Sequence, residues 1–298
     1  MSEKSYNNCR LCARLCGVDR SEKIGFCKMG EYPVISRAAL HYWEEPPISG
    51  TRGSGTVFFT GCSLGCIFCQ NRHISGGQHG KEITVERLAE IMLDLQGQGA
   101  HNINLVTPTH FVPSIKKAIT EARKMGLSLP IVYNTGSYDT SETVDSLNGF
   151  VDVYLPDLKY YLPKTAKAYS FAENYPEVAR IAIDRMVEQV GEPIFDSEGI
   201  MMRGVVVRIL LLPGHVAEAK LSMKYLLDRY GDKIYISLMN QYTPMKGMPR
   251  PLDRTVSREE YASLVGYAEK IGLKNGFTQE FGTAKESFIP DFDLTGVK

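Results

Sequence analysis

Residues 56–71 read TVFFTGCSLGCIFCQN. The first part is a short apolar run that stops at Gly61, the pattern of a strand buried on both faces. The second part places Cys62, Cys66 and Cys69 in one tight loop directly after that strand. Thiolates are soft ligands that select zinc, copper(I) or iron–sulfur clusters. Structural metal sites are closed by four ligands, whereas catalytic ones keep a position open. A four-iron cluster on three cysteines leaves one iron without a protein ligand. The alternative is zinc on three cysteines and a water, with His73 or His79 as a fourth ligand.

Downstream of the loop, strand and helix patterns alternate. Strands are expected at 102–109 (NINLVTPT), 130–136 (PIVYNTG), 151–160 (VDVYLPDLKY), 204–214 (GVVVRILLLPG) and 234–244 (IYISLMNQYTP), with a short closing strand at 277–281. Helical spacing covers 83–99, 113–126, about 141–147 and 216–231. Positions 164–190 are helical with a break near Tyr175-Pro176, and Ser257 with Glu260 signals a capped last helix. Six βα units with right-handed crossovers predict a partial (β/α)6 parallel barrel, with a doubly wound open sheet as runner-up. Either architecture places ligands at the carboxyl ends of the strands, where the cysteine loop lies.

Upstream, Cys9-x2-Cys12-x3-Cys16-x10-Cys27 supplies four thiolates, enough to close a site with zinc or with a second, fully ligated iron–sulfur cluster. Residues 1–30 are therefore expected to form a cysteine-rich metal-binding module. Residues 31–298 would hold the core domain, with an N-terminal connector and a C-terminal helix. No cysteine follows Cys69, a clustering that argues for metal ligation over a disulfide framework. Lysine plus arginine equals aspartate plus glutamate, 34 each, so neither nucleic acid nor a membrane is an expected partner. With 43% hydrophobic and 23% charged residues and a polar start, the chain reads as cytoplasmic.

Several polar residues sit where the strands end. Thr107 and Thr109 would share one face of the second strand, by its period of two. Asn134 ends the third. Asp157 and Lys159 would point the same way from the fourth, at little cost if they pair with each other or with a ligand. Arg208 interrupts a run otherwise apolar on both faces, so an anion should face it: Asp157, or a ligand carboxylate. Trp43, Glu44 and Glu45 read as a packing residue and a solvated turn.

The Cys62-x3-Cys66-x2-Cys69 motif, with Phe68 before its last cysteine and a strand before its first, resembles the radical S-adenosylmethionine (SAM) superfamily. That resemblance implies a [4Fe–4S] cluster on Cys62, Cys66 and Cys69, with SAM chelating the open iron through its amino and carboxylate groups. Reductive cleavage of SAM would yield a 5′-deoxyadenosyl radical that abstracts hydrogen from substrate. It also implies a reducing partner such as flavodoxin or ferredoxin. By the same resemblance, Phe68, Thr107, Thr109, Asn134, Asp157, Lys159 and Arg208 are the SAM-side candidates. The Gly-Gly-Glu common at the second strand is missing here, which leaves Thr107 and Thr109 as substitutes. Asp-x-Lys at the fourth strand recurs in the glycyl-radical activating branch. The cysteine-rich start together with GCSLGCIFCQN is similar to a pyruvate formate-lyase activating enzyme-like group. The implied functions are an activase acting on a protein glycine, or an enzyme acting on a small molecule or another protein side chain. A non-catalytic electron carrier ranks last.

Overall fold

A computed structural model of the chain describes residues 6–280 and 290–298. Its strands are β1 (Val34–His41), β2 (Ser54–Phe59), β3 (Lys81–Glu82), β4 (Ile103–Val106), β5 (Ile131–Thr135), β6 (Val153–Pro156), β7 (Ile194–Phe195), β8 (Met201–Leu210), β9 (Tyr235–Met239) and β10 (Gly276–Thr278). The helices are α1 (Pro46–Ser49), α2 (Arg72–Ser75), α3 (Val85–Gly97), α4 (Val112–Lys124), α5 (Ser141–Asp145), α6 (Pro163–Ser170), α7 (Tyr175–Val190), α8 (Val216–Tyr230) and α9 (Arg258–Lys270).

The strands form one sheet in the order β10-β9-β8-β6-β5-β4-β2-β1-β3, with β7 paired antiparallel to β8. From β2 to β10 the neighbours along this path are parallel and follow chain order, so the winding never reverses. A doubly wound sheet would reverse at a switch point, and the single direction marks a partial barrel. Antiparallel β1 and β3 extend one edge and β10 ends the other. Of the predicted closing strand, Phe281 lies outside the described residues. Residues 1–5 of the predicted cysteine-rich module do as well.

Helices cover the outer face. Val57, Phe59, Leu105, Tyr133, Tyr154, Val205 and Val207 join α3, α4, α7 and α8 in the main core. The break predicted near Tyr175-Pro176 falls just before them. Phe171 ends α6 in a left-handed conformation, and Tyr175-Pro176 opens α7, where a proline is tolerated. The predicted cap of α9 is present as a reciprocal Ser257–Glu260 box. Among the described residues no helix is long and apolar enough to cross a membrane.

The inner face is layered. Val132, Val153, Leu155 and Val206 form a small apolar core with Met201, plugged by Ile48 of α1. Asn104, Asn134, Arg208 and Ser237 share the inward register of their strands with that core, Asn104 opposite Val132, Asn134 opposite Leu155 and Arg208 opposite Ser237. The plug lets a polar layer sit inside the barrel without opening it to water from below. Replacing Ile48, which is fully buried, by Ala should cost about 2–4 kcal/mol in urea unfolding, the usual penalty for an aliphatic core truncation.

Candidate functional site

The cysteine loop leaves β2 through Gly61 and lies at the carboxyl end of the barrel. Gly61 has φ +87°, and a Cβ there would stand 2.5 Å from the Cys27 carbonyl oxygen. Only glycine fits where the front cysteine segment meets the loop. Arg14 holds that junction from the front segment. Its guanidinium donates to the carbonyls of Ser63 (2.9 Å), Leu64 (2.9 Å), Ser170 (2.9 Å) and Phe171 (2.6 Å).

Cys62, Cys66 and Cys69 line one cavity of about 230 Å³. The Leu64 N–H donates to Cys62 Sγ at 3.4 Å, and the Ser170 hydroxyl to Cys66 Sγ at 2.9 Å. Burial pushes the Cys66 thiol up. Burial and the two neighbouring thiols push Cys69 to about 12. Neutral thiols are thus favoured in the bare loop, and a bound metal reverses that preference. Among the described residues no three His, Cys, Asp or Glu side chains stand close enough together to hold a single ion. A four-iron cluster gives each thiolate its own iron and makes no such demand, so this donor set suits it. Phe68 is buried behind the loop, edge-on to Tyr160, Tyr169 and Tyr242, and its ring fixes the loop between Cys66 and Cys69.

All seven SAM-side candidates line this same cavity. Thr107 and Thr109 reach it by a route the sequence did not suggest. β4 ends at Val106, Thr107 has φ +59°, and Thr109 opens a 3₁₀ turn. They do not share a strand face, because Thr107, directly after the last strand residue, takes a left-handed conformation and Pro108 follows it. The Thr107 N–H donates to the Asn134 carbonyl (2.8 Å), and Thr109 Oγ1 lies 3.4 Å from Thr135 Oγ1.

The floor is an ion network. Arg208 Nε donates to Asp157 Oδ1 (2.7 Å), Nη2 to Asn134 Oδ1 (2.6 Å) and Nη1 to Glu44 Oε2 (3.2 Å). Lys159 Nζ donates to Asp157 Oδ2 (2.5 Å). Of the two anions the sequence allowed for Arg208, the structure contains Asp157, and it adds Glu44. Burial pushes the Asp157 carboxyl up, but Arg208 and Lys159 outweigh it and hold the group below the usual range. Asn104 and Asn134 donate to Glu44 Oε1 at 3.1 and 3.2 Å.

The expectation of a solvated turn at Glu44 and Glu45 is wrong. Both side chains are buried in the barrel, because α1 carries the preceding residues in beneath the strand ends. Burial raises the Glu45 carboxyl to about 7. The only sequence signal was two glutamates ahead of Pro46-Pro47, which also fits a surface turn. His215 precedes α8 without a side-chain cap, contacts Tyr169 and Glu218, and does not line the cysteine cavity.

Arg208→Met removes the cation paired with Glu44, leaves Asp157 with Lys159 alone, and should cost about 3–5 kcal/mol in urea unfolding, as breaking a buried pair does. Because the folded-state value of Asp157 is depressed, its stabilisation is present above the ordinary carboxylate value. It is lost as pH falls through the folded value. The wild type should therefore lose stability as pH drops below about 4, and Asp157→Asn should flatten that dependence.

Known proteins share both the strand array and the loop. The family model of the radical SAM superfamily matches residues 56–221. An uncharacterized protein of Methanocaldococcus jannaschii is 28% identical over 284 residues, covering 92% of this chain and 78% of that one. Among solved structures, a radical SAM methyltransferase from Sphaerobacter thermophilus superposes with TM-score 0.54 at 16% identity, covering 76% of this chain and 66% of that one. SuiB of Streptococcus suis bound to precursor peptide SuiA gives TM-score 0.51 at 11% identity, over 75% and 48%. At these identities the solved structures speak to the fold alone, and the chain spans about two thirds and about half of their lengths. The family match, which begins in β2 and covers more than half of the chain, is the deciding one: the chain belongs to the radical SAM superfamily, whose members use a [4Fe–4S] cluster and SAM.

Proposed function

We propose that Cys62, Cys66 and Cys69 hold the [4Fe–4S] cluster, and that the enzyme acts on a protein or peptide, in the manner of the pyruvate formate-lyase activating enzyme-like group. The observation that carries the reading is the cavity itself: three thiols on one wall, and an ion network built from the ends of β5, β6 and β8 and Glu44 on its floor. Together the cluster and SAM supply a carbon-centred radical able to take a hydrogen atom from substrate.

The chain's own residues bind, orient and exclude water. Asn134, Thr107 and Thr109 present polar atoms at the strand ends for the methionine and ribose portions of SAM. Asp157 and Lys159 supply a paired charge of either sign beside the cysteines. Arg208 spends its three nitrogens on Asp157, Asn134 and Glu44, so its part is to fix those groups rather than to take the SAM carboxylate. Phe68, with its three tyrosine neighbours, screens the loop from water. An electron arrives from a reducing partner such as flavodoxin or ferredoxin, and the front cysteines form a second, closed metal centre, for which an iron–sulfur cluster suits their spacing and a single zinc ion does not.

A protein substrate is favoured by the sheet's two unjoined edges, which leave the barrel laterally open, and by Trp43, which lines the cavity while 56% exposed. SuiB shows that this fold admits a peptide. The closed polar floor favours the second reading, a small polar substrate.

Anaerobic protein supplied with dithionite and SAM should release 5′-deoxyadenosine. The Cys62/Cys66/Cys69→Ala variant should release none and lose about four irons per chain. Mixed with a glycyl-radical enzyme, the wild type should generate a glycine-centred doublet by electron paramagnetic resonance. SAM turnover with no doublet from any candidate would favour the small-molecule reading.

A further inference from the structure

Arg20 is among the largest fully buried side chains of the protein, only 2% exposed. Its guanidinium donates to the carbonyls of Met29, Gly30 and His110 and lies over the rings of Tyr6 and Phe111. Among the described residues no carboxylate comes within salt-bridge range of it. The other buried cations are treated differently: Arg208 has two carboxylates and Lys159 has one. Carbonyl dipoles and ring faces soften a buried positive charge without neutralising it, and an uncompensated charge in the interior is costly.

The remaining group in contact with Arg20 is a sulfur. Its Nη1 lies 4.0 Å from Cys9 Sγ. Backbone hydrogen bonds fold the segment back on itself, from the Gly17 N–H to the Cys9 carbonyl (3.0 Å) and from the Leu15 N–H to the Cys12 carbonyl (3.0 Å), which brings Cys16 back beside Cys9 and Cys12. The Phe26 N–H points at Cys16 Sγ (3.4 Å), a donor that a thiolate uses better than a thiol does. Gly25 lies between two of the sulfurs; a Cβ there would be 3.4 Å from Cys27 Sγ and 3.9 Å from Cys16 Sγ.

We propose that Cys9, Cys12, Cys16 and Cys27 bind metal as four thiolates, and that Arg20 is the built-in countercation of that centre. These four thiols are not close enough together for a single ion, but a four-iron cluster gives each its own iron, and in its oxidised form on four thiolates it carries a net charge of about −2 that would compensate a buried guanidinium. As thiols the same four groups are neutral and leave Arg20 without an anion. Loading releases the thiol protons as iron with sulfide enters. The inference rests on the front cysteines being a closed metal site and not on the cluster of the β2 loop.

The test uses the full chain carrying Cys62/Cys66/Cys69→Ala, purified anaerobically, so that metal counted belongs to the front site. About four irons with matching sulfide should remain. Arg20→Met should weaken retention against a chelator by about tenfold or more, the usual effect of removing an outer-shell partner, and Arg20→Lys should restore part of it. A second measurement separates charge compensation from simple packing. With Cys9/Cys12/Cys16/Cys27→Ala, Arg20 is a buried charge without an anion, so Arg20→Met should leave Tm unchanged or raise it, whereas in the loaded chain it should lower Tm. Absence of iron would overturn the proposal. So would unchanged chelator resistance, or an equal fall in Tm in both backgrounds, which would make Arg20 only a clamp on carbonyls. Iron lost from the wild type on removing the loop cysteines is counted separately, so failure here leaves the loop's reading standing.

Discussion

A guanidinium set into the inner wall of a parallel sheet has to bring its own anions with it. Arg208 does so by joining β6, β5 and the segment before α1 through Asp157, Asn134 and Glu44. Each of these partners comes from a different part of the chain, so the network forms only when the strands are in register and α1 is in place beneath them. The apolar layer around Ile48 keeps water from entering below, and the cavity opens above. In this low-dielectric setting the opposing charges hold one another more strongly than they would at a surface. The shape of the floor is consequently fixed before any ligand arrives, as a site that must orient a reactive species requires.

The second constraint is the meeting of the two cysteine segments. Gly61 lets the front segment come within a carbonyl's width of the β2 loop, and Arg14 ties four carbonyls from two other segments together beside it. Arg20 extends the tie: its partner His110 in turn reaches the Thr60 carbonyl at 2.7 Å, one residue before Gly61. The front segment is therefore part of the wall that supports the loop. A change in its metal content would be felt at Cys62 through these contacts.

Much of this was legible in the sequence. Apolar strands, amphipathic helices and their order predicted a singly wound parallel sheet, and the cysteine spacing pointed to the superfamily. Asp157, Lys159 and Arg208 were readable because charge inside an apolar run has few tolerable fates. Glu44 and Glu45 were not, because nothing local separates a turn that faces water from one folded under a barrel. Thr107 and Thr109 were placed at the right rim for the wrong reason: strand periodicity was extended past Val106, where Thr107 turns left-handed ahead of Pro108. Arg20 drew no notice, since an arginine in a loop is ordinarily exposed and only tertiary packing covers it.

The central claim is that the β2 loop holds a cluster with one iron open to SAM. It is tested most directly by pulsed electron–nuclear resonance on the reduced protein carrying Cys9/Cys12/Cys16/Cys27→Ala, with SAM labelled at its amino nitrogen and carboxylate oxygens. The account predicts hyperfine coupling from both labels to the cluster. A reduced four-iron signal that shows neither coupling at saturating SAM would contradict it.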